Sequence, residues 1–331
     1  MTTSEKKLLS IVIVTWNCKA LLKECLDSLA SQRHDPQTEV IVVDNASADG
    51  SPELVREFYP EVTLIPSDQN LGFTRGNNVG IRRTSGEYVC LINPDVHVLE
   101  GCIEKMIAYM KDNPQVGLLG PRMLNADGKP DRSYMGAPTL WSLFCRALAL
   151  DALFPRSTLF GGFLMPYFNR TQISEVDILN GWFWLTRREP LNQVGLLDEN
   201  LFMYGDDLDW SKRFRDNKWK VVYFPEAEAI HYGGGTTARA PIRFAVEMQK
   251  ANFQYWQKNY GIVSQIAYRS IIAFHQIIRM LGYSLSFLNP SSNKEDAKAK
   301  LRRGVACFLW AIGYTGKLQT QADIRPEIKS L

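Results

Sequence analysis

Four short apolar runs, with polar clusters closing three of them, constrain this chain more than any other feature. They read SIVIVTWN at residues 10–17, EVIVVDNASADGS at 39–51, VTLIP at 62–66 and EYVCLINPDV at 87–96. Runs of this length, rich in Val and Ile, have the pattern of strands buried on both faces of a parallel sheet. Helical stretches separate them: Leu21, Leu22, Cys25, Leu26 and Leu29 recur at helical spacing, and a further helix is expected over Pro52 to Phe58. This alternation predicts an α/β fold, a mostly parallel sheet flanked by helices, in which ligands bind beyond the carboxyl ends of the strands. Thr15–Asn17, Asp44–Ser47 and Asn93–Asp95 fall at that edge.

The segment NLGFTRGNN reads as a loop with a helix beginning near Asn77, and residues 130–175 as loop or short helix over the site. A second block runs from Val176 to Thr237. It contains a strand (VDILNGWFWLTR), a helix near PLNQVG, an acidic cluster (MYGDDLDW), a helix to Asn217, a strand (KVVYFP) and a Gly-rich turn (HYGGGTT). The expected organisation is a catalytic domain over residues 1–240 and a basic, aromatic helical region over 241–331.

Charge divides along the same line. From Pro241 onward there are 13 Lys and Arg against 5 Asp and Glu, an excess of eight, although the whole chain carries only +3; residues 1–240 are therefore net acidic by five. An acidic body is a poor nucleic-acid binder, whereas a basic tail with Phe253, Tyr255, Trp256, Phe274, Phe287, Phe308 and Trp310 suits an anionic membrane surface. The competing reading is that these helices pack on protein or form a homo-oligomer interface. The closest candidate for a bilayer span, Ile271 to Leu288, is interrupted by His275, Gln276 and Arg279, so the expectation is a peripheral protein. Six scattered cysteines without a CxxC pair, and an N-terminus without a secretory pattern, point to a reducing, cytoplasmic setting.

Several side chains at the strand ends carry chemistry. Asp95 suits a hard divalent cation, Mg2+ or Mn2+, shared with substrate phosphate, although Asn93-Pro94-Asp95 also reads as a turn. Asp44 can accept hydrogen bonds from a ribose or base, or cap the following helix through its neighbours. Asp206, Asp207 and Asp209 repel one another, which favours a raised pKa and general-base work; the first turn of a helix is their alternative use. His231 precedes a run of glycines and is either a ligand or a structural histidine. Trp182, Phe183 and Trp184 follow Asn180-Gly181, and successive members of a strand face opposite ways, toward a sugar at the sheet edge or into the core.

Taken in order, SIVIVTWN, VIVVDNASADGS, NLGFTRGNNVGI, YVCLINPDV, the segment from DILNGWFWLTR to GDDLDWSKRFR, and KVVYFPEAEAIHYGGG resemble the inverting glycosyltransferases of family 2 with the GT-A fold, especially bacterial rhamnosyltransferase-like members. The resemblance covers residues 9–237. It implies transfer of a sugar from a nucleotide diphosphate donor, UDP- or dTDP-linked, to a hydroxyl of a glycan or lipid-linked acceptor in cell-surface polysaccharide synthesis. Thr15, Asn17 and Asp44 would line the nucleoside pocket beside Gly72, Phe73, Arg75 and Asn77. Asn93 to Asp95 would replace the family's Asp-x-Asp, with Asn93 facing ribose, and Asp95 and His231 would hold the metal. Asp207 would be the catalytic base, preceded by Asp206 where relatives have Glu, and Gly181, Trp182 and Asp206 would border the acceptor or sugar pocket. No Gln-x-x-Arg-Trp motif of processive synthases occurs, so single addition is expected. Readings from other classes are a non-catalytic sugar-nucleotide-binding or membrane scaffold protein and a nucleotidyltransferase; the latter lacks a basic triphosphate loop here.

Overall fold

The computed structural model describes residues 7–233, 241–286 and 293–314. They form two compact units. One holds the described residues up to Ala137 together with Phe168–Gly233, and the other holds Pro138–Tyr167 with the described residues from Pro241 onward.

The chain begins β1 (Leu9–Thr15), α1 (Lys19–Ser28), α2 (Ala30–His34), β2 (Thr38–Asp44), α3 (Ser51–Phe58), β3 (Thr63–Pro66), α4 (Gly72–Ile81) and β4 (Tyr88–Ile92). It continues through β5 (Val96–Val98), α5 (Cys102–Asp112), β6 (Val116–Leu124), β7 (Tyr134–Met135), α6 (Leu140–Ala147) and α7 (Leu150–Leu153). Then come β8 (Ser174–Glu175), β9 (Ile178–Leu179), β10 (Phe183–Arg187), α8 (Arg188–Val194), α9 (Asp206–Asp216) and β11 (Lys220–His231). Helices α10 (Pro241–Asn259), α11 (Ile262–Ser286) and α12 (Lys294–Ala311) follow.

The main sheet has the order β3-β2-β1-β4-β10-β6-β11-β5, with β8 also on β11. β3, β2, β1 and β4 are mutually parallel, β10 runs antiparallel between β4 and β6, and β6 and β11 are parallel. Thr15 lies opposite Asp44, and Ile13 opposite Ile92, so three strands end at one edge. Alternation along β1 sends Ile11 and Ile13 into a core shared with Leu22 and Leu26 of α1 and Met106 of α5. Val12 and Val14 face the other way, toward α4.

Helix α4 departs from expectation. It starts at Gly72 rather than near Asn77, so most of the segment read as a loop is helical. Gly76 and Gly80 lower helix propensity by about 1 kcal/mol each, which is why the sequence reads as irregular. They are tolerated because the helix lies flat on the sheet: a Cβ on Gly80 would sit 2.3 Å from Val12 Cγ1, and one on Gly76 2.8 Å from Val14 Cγ1. Close packing replaces propensity here.

Two expected strands also change form. VDILNGWFWLTR is broken at Asn180–Trp182, with β9 pairing β7 in a separate two-stranded sheet and β10 joining the main sheet. KVVYFP extends to His231 across a register shift between Phe224 and Glu228, where Pro225 has no N–H to offer the ladder. The shift lets the end of β11 pair with β5, placing His231 opposite Val96.

In the second unit, several tail aromatics are spent on internal packing. Phe253 and Trp256 both stack on Tyr268, and the Arg269 guanidinium lies 5.3 Å from the Phe253 ring and 5.4 Å from the Trp310 ring. Pro138–Tyr167, read from sequence as cover for the site, forms the capped helix α6 and the short α7 and groups with the C-terminal helices. No described helix is long and apolar enough to cross a membrane. Phe287 and the glycine run from Gly234 lie outside the described residues.

Asn78 fastens α4 to the segment before α9. Its Nδ2 donates to Leu197 O (2.9 Å) and Glu199 Oε1 (3.0 Å), and its Oδ1 accepts from Leu197 N (3.0 Å). Asn78→Ala strands a buried N–H and carbonyl of Leu197 and is expected to cost about 2–3 kcal/mol, measurable as a lowered urea midpoint at unchanged m-value.

Candidate active site

The first part of the site lies where β1 and β2 end. Asp44 is 2% exposed; its Oδ2 accepts from Ser47 N (3.0 Å), while its Oδ1 is buried and has no partner. Asn17 adopts a left-handed conformation (φ 50°), which Asn tolerates better than most residues. Its N–H donates to Ser47 Oγ (2.9 Å) and its Oδ1 accepts from Ala48 N (2.7 Å), tying the β1 loop to the β2 loop. Thr15 Oγ1 contacts Cys18 Sγ at 3.2 Å. From sequence Ser47 reads only as part of a turn capping the next helix; the fold reveals that its hydroxyl bridges the loops.

Asn45 continues the wall, its Nδ2 donating to Gly72 O (3.0 Å). Gly72 has φ +78°, and a Cβ there would lie 2.6 Å from Phe202, so no other residue fits without displacing that segment. Phe73 meets Trp184 edge-on at 6.4 Å. The next two candidates bond within the protein: Arg75 Nε donates to Glu199 O (3.2 Å), and Asn77 Nδ2 to Phe73 O (2.9 Å).

The second part forms where β4, β10 and β11 converge. Antiparallel pairing sets Phe183 opposite Ile92, and Asn93 N donates to Trp182 O (2.9 Å). From the other side, Tyr232 N donates to Asp95 O (3.0 Å), and His231 Nε2 lies 3.3 Å from Asp95 Oδ2. The Trp182 and His231 rings stack with centroids 4.4 Å apart and planes 20° from parallel. Asp95 Oδ1 is buried without a partner. Among the described residues no cluster of three or more His, Cys, Asp and Glu side chains could enclose a metal. An orphaned carboxylate oxygen with one imidazole beside it nevertheless fits a cation of the Mg2+ type, which takes one or two protein ligands and fills its shell with phosphate oxygens and water.

The third part is the carboxylate pair. Tyr204 (φ 68°) and Gly205 (φ 74°) turn the chain through two successive left-handed residues into α9, with Asp206 first in the helix. Asp206 is 7% exposed and comes against Gly181: a Cβ there would lie 3.0 Å from its Oδ2 and 3.2 Å from Trp184. Burial raises the pKa of Asp206 well above the carboxylate range, and the neighbouring Asp207 charge adds to it. Burial also raises half-buried Asp207, against the backbone N–H of Leu208 that donates to its Oδ1 (2.8 Å). A helix N-terminus favours carboxylate anions, and here burial outweighs it. Asp209 separates from the cluster by pairing with Arg213 Nε at 2.8 Å. Tyr204, which the sequence reading passed over, is pushed up to about 12 by burial and by Asp206.

The family model for Glycosyl transferase family 2 matches residues 10–195, more than half of the chain, and the protein belongs to that family. It is a glycosyltransferase. Over 258 residues it is 31% identical to the N-acetylglucosaminyl-diphospho-decaprenol L-rhamnosyltransferase of Mycobacterium tuberculosis, covering 74% of this chain and 82% of that protein. It is 26% identical over 229 residues to the low-salt glycan biosynthesis hexosyltransferase Agl10 of Haloferax volcanii, covering 67% of this chain and 66% of that one. Among solved structures, the mannosyltransferase PcManGT from Pyrobaculum calidifontis, in complex with GDP-Man and Mn2+, has a TM-score of 0.54 at 17% identity, covering 93% of this chain and 88% of that one. The GT-A fold expected from sequence is the fold found. Thr15, Asp44, Asp95 and Gly181 lie inside the family match; Asp206, Asp207 and His231 lie beyond it, Asp206 coming against Gly181 and His231 against Asp95.

A carboxylic acid whose pKa is raised by folding stabilises the fold fully only below the unfolded value of about 3.9, and that contribution is lost as pH rises through the folded value. Asp206→Asn, a mimic of the protonated form, is therefore expected to be near neutral at pH 4 and stabilising at pH 8, by a few degrees in Tm or on the order of 1 kcal/mol. Thermal unfolding at the two pH values checks the sign.

Proposed function

We propose that the protein transfers a sugar, with inversion, from a nucleotide diphosphate donor to a hydroxyl of a lipid-linked or glycan acceptor. The observation that carries this reading is the pair of buried carboxylate oxygens, Asp44 Oδ1 and Asp95 Oδ1, which no protein group satisfies at one edge of the sheet. Leaving such atoms unpaired costs about 1–3 kcal/mol each or more, and a ligand that brings donors to one and a cation to the other removes the penalty. A nucleotide diphosphate with its counter-ion does both. In this reading Asp44 accepts from the nucleoside, aided by Thr15 and Asn17, while Gly72 and Phe73 wall the pocket and Arg75 and Asn77 support that wall. Asn93 faces the ribose.

Asp95 and His231 would hold Mg2+ or Mn2+. When bound, the cation offsets charge accumulating on the diphosphate. Asp207 takes the proton of the acceptor hydroxyl, the hydroxyl oxygen bonds to the anomeric carbon from the opposite face, and the bond to the diphosphate breaks with its electron pair on the leaving oxygen. A base with a raised pKa holds the proton it removes more firmly. Asp206, pressed against Gly181, fixes the start of α9, and the stacked Trp182 and His231 rings border the sugar. The name of the mycobacterial relative favours rhamnose as the sugar and a polyprenyl diphosphate glycan as the acceptor class. Such an acceptor places the enzyme peripherally on the inner face of the cell membrane, held by its basic C-terminal region.

The test is product formation from dTDP-rhamnose and a panel of UDP sugars with a polyprenyl diphosphate acceptor, the anomeric configuration being read by NMR. Asp207→Asn is expected to lower kcat by about 10²–10⁴-fold with donor affinity by calorimetry largely retained. Loss of donor binding in that variant would instead make Asp207 a donor or metal ligand. Separately, Asp95→Ala or excess chelator is expected to abolish turnover with the thermal midpoint of the apo protein kept; full activity under either condition removes the metal role.

A further inference from the structure

The second compact unit exposes more large apolar side chains than packing within it accounts for, and they form one pattern. Along the 25-residue α11, Val263, Ile266, Phe274, Ile277, Leu281 and Leu285 are all exposed, Leu281 by 62% and Leu285 by 64%. At 100° per residue these positions fall in one stripe, running most of a helix about 37 Å long. The opposite face is occupied, with Tyr268, Ile272 and Gln276 buried.

The stripe does not end on α11. Phe274 stacks on Phe144 of α6 with ring centroids 6.2 Å apart and planes 12° from parallel. From Phe144 an unbroken aromatic series continues through Trp141 (6.2 Å) and Phe160 (6.3 Å) to Phe154 (5.2 Å). Trp141 and Phe144 are exposed, Phe154 is half exposed, and Leu153 beside it is 67% exposed. The Trp141 indole N–H already has its acceptor in Leu159 O at 2.9 Å, so this ring can leave water without stranding a donor.

Charge selects the occupant. The described residues of this unit contain 12 Lys and Arg against 4 Asp and Glu. Three of those acids, Asp151, Glu247 and Asp296, already pair with bases at short range in sequence. Two copies facing each other would each bring an excess of eight positive charges, whereas an anionic lipid surface complements them. Trp and Phe amid basic side chains, on helices too polar to span, are the attributes of an element lying in the membrane interface.

We propose that the α11 stripe and the aromatic series of the Pro138–Tyr167 insertion form one face that inserts into the interfacial layer of an anionic bilayer. This rests on the membrane placement proposed above and adds that contact is by insertion of named apolar side chains rather than by charge alone. The insertion thus becomes part of the anchor.

The full chain is mixed with vesicles of phosphatidylcholine alone or with phosphatidylglycerol, at low and at 0.15 M salt (a Debye length of about 8 Å). Binding is read by co-sedimentation. The expected result is binding to the anionic vesicles that persists in part at the higher salt, with Trp emission quenched by lipids brominated on the acyl chain and that quenching reduced in Trp141→Phe. Leu281→Ser with Leu285→Ser, and Leu153→Ser with Phe154→Ser, should each lower the partition coefficient about tenfold or more, leaving donor hydrolysis and the sedimentation coefficient unchanged. If the wild-type chain binds but both double variants bind equally and no quenching occurs, contact is purely electrostatic: the insertion face is wrong and the membrane placement stands. If the wild-type chain binds neither vesicle, both fail. A wild-type dimer that the same variants convert to monomer would assign the face to a second copy of the chain and overturn the proposal.

Discussion

The candidate site depends first on β1 being paired in parallel with β2 on one side and β4 on the other. Parallel ladders end together, so the register that sets Thr15 against Asp44 and Ile13 against Ile92 brings three loop starts to one edge. Buried Val and Ile hold that register, because a slip of one residue would exchange the side chains facing α1 for those facing α4. Gly76 and Gly80 make it stricter: only with Val12 and Val14 beneath them can α4 lie as close as it does. The position of Gly72 and Phe73 beside the β2 loop follows from the same contact.

What brings the other candidate side chains to this edge is the reversal at β10. A strand running antiparallel to β4 begins where β4 ends, and so delivers Gly181 and Trp182 to Asn93. β11 then reaches the same place, since beyond its register shift it pairs with β6 on one edge and β5 on the other, which sets His231 beside Asp95. Asp206 of α9 meets this edge because position 181 has no side chain. Burial that would be a liability for an ordinary surface aspartate is here the means of raising proton affinity. The same two-residue left-handed turn at Tyr204 and Gly205 fixes the angle at which α9 begins.

The two compact units divide the chemistry. The first collects the unsatisfied carboxylate oxygens of Asp44 and Asp95 and the adjacent Asp206 and Asp207. The second combines positive charge with exposed apolar surface, and it is built from parts far apart in the chain, since α6 and α7 belong with α11 and α12. The aromatics of the C-terminal region serve two ends. Phe253, Trp256 and Trp310 bind the helices to one another around Tyr268 and Arg269, whereas Phe274 continues the exposed series from Phe144.

The sequence alone determined the strand ends and the residues on them. Val–Ile runs closing on Thr15, Asp44 and Asn93 are local patterns, and burial on both faces leaves little other use for them. It also determined the order of motifs from which the family could be recognised. It could not disclose α4, because low helix propensity is a local signal and the close approach that compensates it is not. Nor could periodicity divide VDILNGWFWLTR between two sheets, or place Pro138–Tyr167 with the C-terminal helices. Tertiary structure alone decided that Asp209 pairs with Arg213 while Asp206 meets Gly181, and that His231 lies 3.3 Å from Asp95. These are contacts between segments distant in the chain, fixed by sheet order and by a register shift. A residue's neighbours in sequence set its conformation, but its proton affinity and its partners come from whatever the folded chain brings against it.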